Sequence, residues 1–397
     1  MIFFIHKGLS FHQGLLKLLV YISIVLFSCT GKTTIIVEKT KTAEELIISY
    51  AKRLRIEKVD GYSQVSVLNP WQGAREIAQK WYLIPEGKIT PSFIDSSEVI
   101  HVPIKKIICM STTHLSMISA LNEENSVVGF SGTRFIYTGD IVQNVINGDI
   151  REIGYEDNLN KELILKLDPD LVMVYGIGSE SAGYIGKLKE MGIRVIYNAD
   201  YLETDPLGKA EWIKLMGALY SKEEMADSIF KTIENEYNNL KSYIKVNAVG
   251  RPRVLLGLPF KDTWYISPGN SYISALIKDA GGEYLWQNTE SSVSMPTAIE
   301  NVFLKALKAD YWLNTGSANT QDEILSIDPR LARLPCYKSG NLFNNNKRTN
   351  IDEGNDYWEG GCLKPQIILR DIASILHPGL LPESELYYYK KINEDQH

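Results

Sequence analysis

The sequence predicts an α/β protein of two lobes, each built of sheet and helices, joined by one long helix and preceded by a small β-rich N-terminal extension. Three observations carry that prediction. Apolar runs alternate with amphipathic stretches from residue 105 to 199, and strands that are apolar throughout are buried on both faces, as in a parallel sheet covered by helices. The same rhythm restarts at residue 251. Between the two halves lies 221–246, SKEEMADSIFKTIENEYNNLKSYIKV, uninterrupted by Gly or Pro.

In that central stretch Met225, Ile229, Ile233, Tyr237, Leu240 and Ile244 recur every three or four residues, which gives one apolar stripe along a helix. At ~1.5 Å per residue the helix is roughly 38 Å long. Ser221 with Glu224 reads as a capping box at its start. Alone, such a stretch is either an ordinary surface helix or a strut; the repeated rhythm on both sides selects the strut.

The chain has 397 residues, 44% of them hydrophobic, which suits a globular protein of two or three domains. Its net charge of −6 and pI near 5.7 argue against nucleic acid as the partner, because that partner demands a basic face. The 22 Tyr and 7 Trp are as useful in a binding cleft as in a core.

At the N-terminus, Lys7 and Lys17 precede an apolar run from Leu18 to Phe27, too short for a comfortable membrane span and suited to a signal-peptide core. The run stops at Leu26-Phe27-Ser28-Cys29. This resembles a bacterial lipobox, which implies export, lipidation of Cys29 and a tether to a bilayer. Thr30-Gly31-Lys32 lacks an acidic run resembling surface-export signals, so a periplasmic, lipid-anchored location is expected. Of the remaining cysteines, Cys109 sits in a strand-like run, while Cys336 and Cys362 could pair in an oxidising compartment. Their spacing is not that of a zinc site.

The chain then divides into a signal segment (1–29), a tether and β-rich extension (30–104), a first α/β lobe (105–205), helices including the strut (206–249) and a second α/β lobe (250–397). In the extension, runs around Leu54 and Val65 flank Asp60-Gly61, a hairpin signal, and KWYLIP and EVIHVPI follow as strands of an antiparallel patch. In the first lobe KKIICMS, SVVGFSG, DLVMVYG and IRVIYNA read as strands, and THLSMISALN, KELILKL and IGKLKEMG as helices. Asp205 and Pro206 start a further helix with a cap and an N1 proline. In the second lobe RPRVLLGL, ADYWLNTG and GNLFNNN are strands, and NSYISALIKDAGG, IENVFLKAL and KPQIILRDIASIL are helices. Tyr387, Tyr388 and Tyr389 read as packing at the chain end.

Ligands of open α/β sheets bind outside the carboxyl ends of the strands, so two such lobes make a cleft between them. The expected cleft residues are Thr112, Thr113, His114, Thr133, Arg134, Tyr137 and Tyr175 on the first lobe. On the second they are Trp264, Tyr265, Asn314, Thr315, Asn344, Asn345, Asn346, Lys347 and Arg348. Aromatic faces with Arg and Lys suit a large, planar or anionic ligand. His114 is open to three readings: a metal ligand of a haem or corrinoid, a helix cap, or an interior hydrogen-bonding group. Tyr137 and Tyr175 are alternative axial ligands.

From about 105 to 392 the order of elements, KIICMSTTHLSMISALN…VVGFSG, KELILKLDPDLVMVYG…LKEMGIRVIYNADY, RPRVLLGLPFKDTWYISPGNSYISALIKDAGG and AIENVFLKALKADYWLNTG, resembles the helical-backbone (class III) substrate-binding proteins of ABC importers. The resemblance implies two sheet-and-helix sandwiches linked by one helix, and a cargo of iron–siderophore, cobalamin or another corrinoid, or haem. Iron chelate is the first expectation, as the commonest cargo. It also implies no catalysis and no resident cofactor. The partners it implies are an ABC permease dimer with its ATPase, docked through Glu162 and Glu300, each at a helix start before a strand. The 45–104 patch lies outside the family's usual core. The competing class is a Rossmann-type enzyme, invited by Gly176-Ile177-Gly178 after a strand. However, position 181 is Ser where a third glycine is required, and neither a phosphate-loop nor a nucleophile-elbow motif is present.

Overall fold

In the computed structural model, residues 44–45, 48–59, 61–155, 158–176 and 181–393 are described. The expected signal segment, Cys29, most of the tether, Asp60 and Gly178 lie outside them. The architecture that follows is that of the compact unit Ala43–His397.

Two five-stranded α/β sheets form its frame. In the first, strands run in the order 195–197, 171–174, 107–109, 127–130, 151–152, all parallel. In the second the order is 283–284, 253–256, 311–313, 342–344, 390–391, parallel except for the last pair. Strands 107–109, 171–174 and 195–197 are buried along their whole length, as their uninterrupted apolar runs require. Each expected helix is present, from Thr112–Ala120 to Pro365–Leu376. Asp205 caps Pro206–Glu211 by accepting from the Leu207 and Gly208 amides.

The long helix is Glu223–Asn247, with Ala226, Phe230, Ile233, Tyr237 and Ile244 buried. Met225, Ile229 and Leu240 are only partly buried, so near its start the buried stripe lies one residue on from the expected one. The expected capping box does not form. Ser221 adopts a left-handed φ of 55°, and the Lys222 amide donates to the Gly217 carbonyl at 2.7 Å. That bond spans the end of the preceding helix and closes it in a Schellman motif. Ser221 is thus spent on ending Ile213–Leu219, and Lys222 becomes the N-cap without a side-chain bond. From there the long helix packs on Ile213–Leu219, then on Tyr272–Asp279 and Pro365–Leu376 beside the second sheet. Tyr237 Oη donates to Asp279 at 2.8 Å and Lys241 pairs with the same carboxylate at 3.0 Å.

The N-terminal extension is a third five-stranded sheet, with strands in sequence order from 44–45 to 99–102. The hairpin Leu54–Val59 to Tyr62–Leu68 forms as the Asp-Gly signal requires, Gly61 standing at φ 94°. One expectation is corrected: Ala78–Pro85 and Val99–Val102 pair in parallel, because the chain travels back through 86–98 before re-entering the sheet. Leu54, Ile56, Val65, Val67, Trp81 and Leu83 join the same core as both α/β sheets. A fourth sheet, Pro259–Phe260, Thr263–Ile266 and Met295–Ala298, is antiparallel. The three described cysteines are free and buried. Cys109 lies in a strand, Cys336 in the turn Pro335–Lys338, and the Cys362 thiol faces the Glu359 carbonyl at 3.1 Å, so the possible 336–362 bridge does not form. No described helix is long and apolar enough to cross a membrane.

Candidate functional site

The carboxyl ends of both parallel sheets open onto one cleft. It comprises a cavity of about 820 Å³ and a smaller one of about 290 Å³ that shares Asn355 and Trp358 with it. The first sheet delivers Ser111, Ser131, Tyr175 and Tyr201 from beyond its strand ends. Gly257, Asn314 and Asn345 come from the same positions on the second. The rule that open α/β sheets bind at strand carboxyl ends therefore holds twice in one cleft. Its size falls in the upper part of the usual range of ~300–1,000 Å³ for ligand sites.

Trp358 lines both cavities and is 60% exposed. Its ring stands edge-on to Tyr357 at 4.8 Å, and Tyr357 is itself buried against Tyr388 and Tyr389 at 5.7 and 5.9 Å. The buried carboxylate of Asp371 holds that aromatic base by accepting from three successive amides, Tyr387 to Tyr389. A large indole held up on a packed base and left in water is a stacking surface for a ligand. Glu359, fully buried, accepts from the Tyr137 and Thr138 amides at 2.7 and 2.9 Å and from the Thr138 hydroxyl. Asn350 adds a bond to the Ile136 carbonyl at 2.8 Å. The loop that carries Trp358 from the second half is thereby tied to the first. Burial pushes the Glu359 carboxyl up, against the bonds from Thr138 and Tyr137.

Several expected residues line the cleft: Tyr175, partly buried and edge-on to Tyr201 at 6.1 Å; Tyr265, 56% exposed; Asn314, accepting from Tyr389 Oη at 2.8 Å; and Asn345. Thr112 lines the smaller cavity. Arg134 stands beside it, over Phe135 at 4.5 Å, and Phe135 is part of its wall.

Others are elsewhere, for definite reasons. Trp264 is wholly buried, its indole donating to the Leu256 carbonyl at 2.9 Å, because neighbours on a strand face opposite ways and Tyr265 takes the outward side. His114 is wholly buried and neither ring nitrogen has a partner, so it caps no helix, makes no interior hydrogen bond and does not line the cleft. Thr113 turns inward to Ser111 Oγ at 3.0 Å and the Asp200 carboxylate at 3.4 Å. The Thr133 amide and hydroxyl both donate to Glu152, at 2.7 and 3.0 Å. Thr315 and Asn344 are wholly buried. Asn346 donates to Asn319 at 2.8 Å. Lys347 pairs with Glu385 at 2.6 Å and bonds the Leu386 carbonyl. Arg348 pairs with buried Asp356 at 2.7 Å and lies over the Tyr387 ring at 4.3 Å. The cations of the Asn-Asn-Asn-Lys-Arg run thus hold the chain end instead of the ligand space. Tyr137 offers its backbone to Glu359 and its ring to Arg348 at 5.4 Å.

Sequence reasoning missed Trp358, Asn355, the 291–294 segment, and Arg53, Gln72 and Gly73 from the extension, all of which line the larger cavity. One signal was present. In GNDYWEGG two aromatics sit among turn formers, where no helix or strand period can bury both. Gly176 lets the extension approach the first sheet closely, since a Cβ there would lie 2.5 Å from the Trp71 Cβ. Among the described residues no three His, Cys, Asp or Glu are placed to hold a metal.

A model of the periplasmic binding proteins matches residues 107–349. An uncharacterized lipoprotein of Methanocaldococcus jannaschii is 28% identical over 369 residues, covering 87% of this chain and 86% of its own. The high-affinity heme uptake system protein IsdE of Staphylococcus aureus is 27% identical over 190 residues, 41% of this chain and 62% of its own. Among solved structures, a periplasmic heme binding protein from Pseudomonas aeruginosa superposes with a TM-score of 0.54 at 18% identity, covering 71% of this chain and 95% of that one.

Proposed function

Since this chain belongs to the periplasmic binding protein family, a family of solute-binding proteins and not of enzymes, we propose that it captures a metal chelate between its two sheets and delivers it to an ABC permease. The observation that carries the choice of cargo is the chemistry of the cleft. Its lining is largely hydroxyl, amide and aromatic, with Trp358 at the centre and no histidine among the described residues. Such a wall suits a chelate whose metal already has its full ligand set. The protein then recognises the organic rim by stacking and neutral hydrogen bonds. An iron–siderophore is the first such cargo, and a corrinoid has the same character. Haem is the second reading, favoured by the similarity to the heme uptake protein and by the phenols of Tyr175, Tyr201 and Tyr265 at the cleft.

An extracytoplasmic location follows from the family. Lipidation at Cys29 is proposed with it, supported by a lipoprotein-named relative that aligns over 87% of this chain. Titration of the purified protein with ferric siderophores, haem and cobalamin, read by calorimetry and by tryptophan fluorescence, tests the reading. One class is expected to bind with micromolar or tighter affinity and to quench Trp358. A Soret or corrin band in protein as purified would replace the siderophore with haem or a corrinoid, and failure of all three classes to bind would overturn capture itself.

A further inference from the structure

The N-terminal sheet lies outside the matched family region of 107–349, yet it reaches the cleft. Arg53, Gln72 and Gly73 line the larger cavity. Their positions are fixed. The backbone amides of Ser49, Tyr50 and Ala51 donate to the Glu211 carboxylate at 2.9, 2.7 and 2.9 Å. Those of Lys52 and Arg53 donate to the Glu203 carboxylate at 3.1 and 3.0 Å. Successive amides are thus clamped by two buried carboxylates of the 203–211 segment, and Lys214 balances Glu211 at 3.0 Å. Farther along, residue 71 bridges to Gly176 and the Gln72 amide donates to the Gly176 carbonyl at 3.2 Å. The Gln72 side chain crosses the cleft mouth to the Ser292 carbonyl, also at 3.2 Å.

Of the described residues lining both cavities, Arg53 alone carries a cationic side chain. One of its nitrogens donates to the Asn69 carbonyl at 2.7 Å, which aims the guanidinium, and its remaining donors make no hydrogen bond among the described residues. The nearby Glu203 carboxylate is committed to the Lys52 and Arg53 amides and to the Trp212 indole at 3.2 Å. A guanidinium held in this way, over a largely neutral wall, is a receptor for a carboxylate or phosphate oxygen.

We propose that the N-terminal sheet is a third wall of the ligand site, and that Arg53 on it binds an anionic group, carboxylate or phosphate, on the rim of the chelate. This rests on the capture reading above. Gln72 and Gly73 border the same edge, so a ligand reaches Arg53 by lying against the 71–73 turn. The wall gives the larger cavity a selectivity for anionic rims that the two α/β sheets, which place no cation in its lining, do not supply.

The test titrates the full chain and its Arg53→Gln variant with ferric dicitrate and haem, which carry carboxylates, cobalamin, which carries a phosphodiester, and ferrichrome, a neutral trihydroxamate. The wild type is expected to bind at least one of the first three, and Arg53→Gln to weaken that binding tenfold or more while leaving ferrichrome within twofold. Citrate and haem against cobalamin separate carboxylate from phosphate. Arg53→Lys, which keeps the charge, is expected to fall between the two, and it carries the test if Arg53→Gln does not fold. Equal affinities for the anionic chelate in wild type and variants overturn the role of Arg53 and leave capture standing. Binding of ferrichrome alone overturns it as well. Binding of none of the four by the wild type overturns both readings together.

Discussion

His114 sits directly behind the first-sheet side of the cleft, in the opening turn of Thr112–Ala120, with both ring nitrogens buried and unpartnered. Burial lowers its pKa from the ordinary 6.5 to about 4; Asp200 opposes that shift and Lys209 adds to it. Between those two values the unfolded chain binds a proton that the folded one does not, so stability falls as pH drops through the window. A shift of that size corresponds to about 3 kcal/mol. Denaturant unfolding from pH 7 to 4 is expected to show that loss, and His114→Leu to flatten it. An unchanged acid slope in the variant would place the lability elsewhere. Buried Glu203 and Asp371, whose carboxyls burial pushes up, contribute in the opposite sense, so the difference between the two proteins is the informative quantity. At this scale the sequence was legible where a residue's strand position decides its exposure, as at Tyr175 and Asn314. It was not legible where a distant acid decides it. Nothing near Lys347 in the chain announces its ion pair with Glu385, 38 residues on, and a Trp264–Tyr265 pair does not declare which ring faces in.

The crossing of Ile213–Leu219 with the long helix is tight because Gly217 has no side chain. A Cβ there would come within 2.6 Å of the Ala226 Cβ and 3.2 Å of the Lys222 carbonyl. In a free helix Gly→Ala gains about 1 kcal/mol, but overpacking a closed contact costs about 1–3 kcal/mol. Gly217→Ala is therefore expected to lower stability by roughly 1 kcal/mol net, and Ala226→Gly in the same chain to recover part of it through reopened space. Additive effects in that double-variant cycle, read by thermal or denaturant unfolding, would show that the two residues do not meet. Elements of this kind were readable in advance because long periodic stretches override local detail, down to the Asp205 cap. The sheet of Pro259–Phe260, Thr263–Ile266 and Met295–Ala298 was not, because strands this short, one of them containing Pro296, carry too little alternation to stand out. The helix start slipped because Ser221 stands between two helices and the left-handed cap of the first took precedence.

At the scale of the whole molecule, the two α/β halves are linked through the helices of 206–247 and tied again where Glu359 grips the 137–138 backbone. Small closure about a bulky cargo is the motion that such an arrangement favours, and it would leave a nearly constant outer surface to the permease proposed above. For the proposed delivery to a permease, we propose Glu162 and Glu300 as the docking carboxylates. Each is exposed in the first turn of its helix, Lys161–Leu167 and Ile299–Ala306. Glu300 meets Arg330 at 3.2 Å with 62% of its side chain in solvent, while Arg330 is also held by Asp328 at 2.6 Å. An exposed pair of this kind is weak, so a permease arginine can displace Arg330 without unfolding anything. The double variant Glu162→Ala with Glu300→Ala is therefore expected to keep its melting temperature and its chelate affinity within twofold, yet to abolish ligand uptake in cells that depend on it. Normal uptake by that variant would remove these two carboxylates from the docking surface, and a loss of affinity alongside the loss of uptake would assign them to the cleft instead.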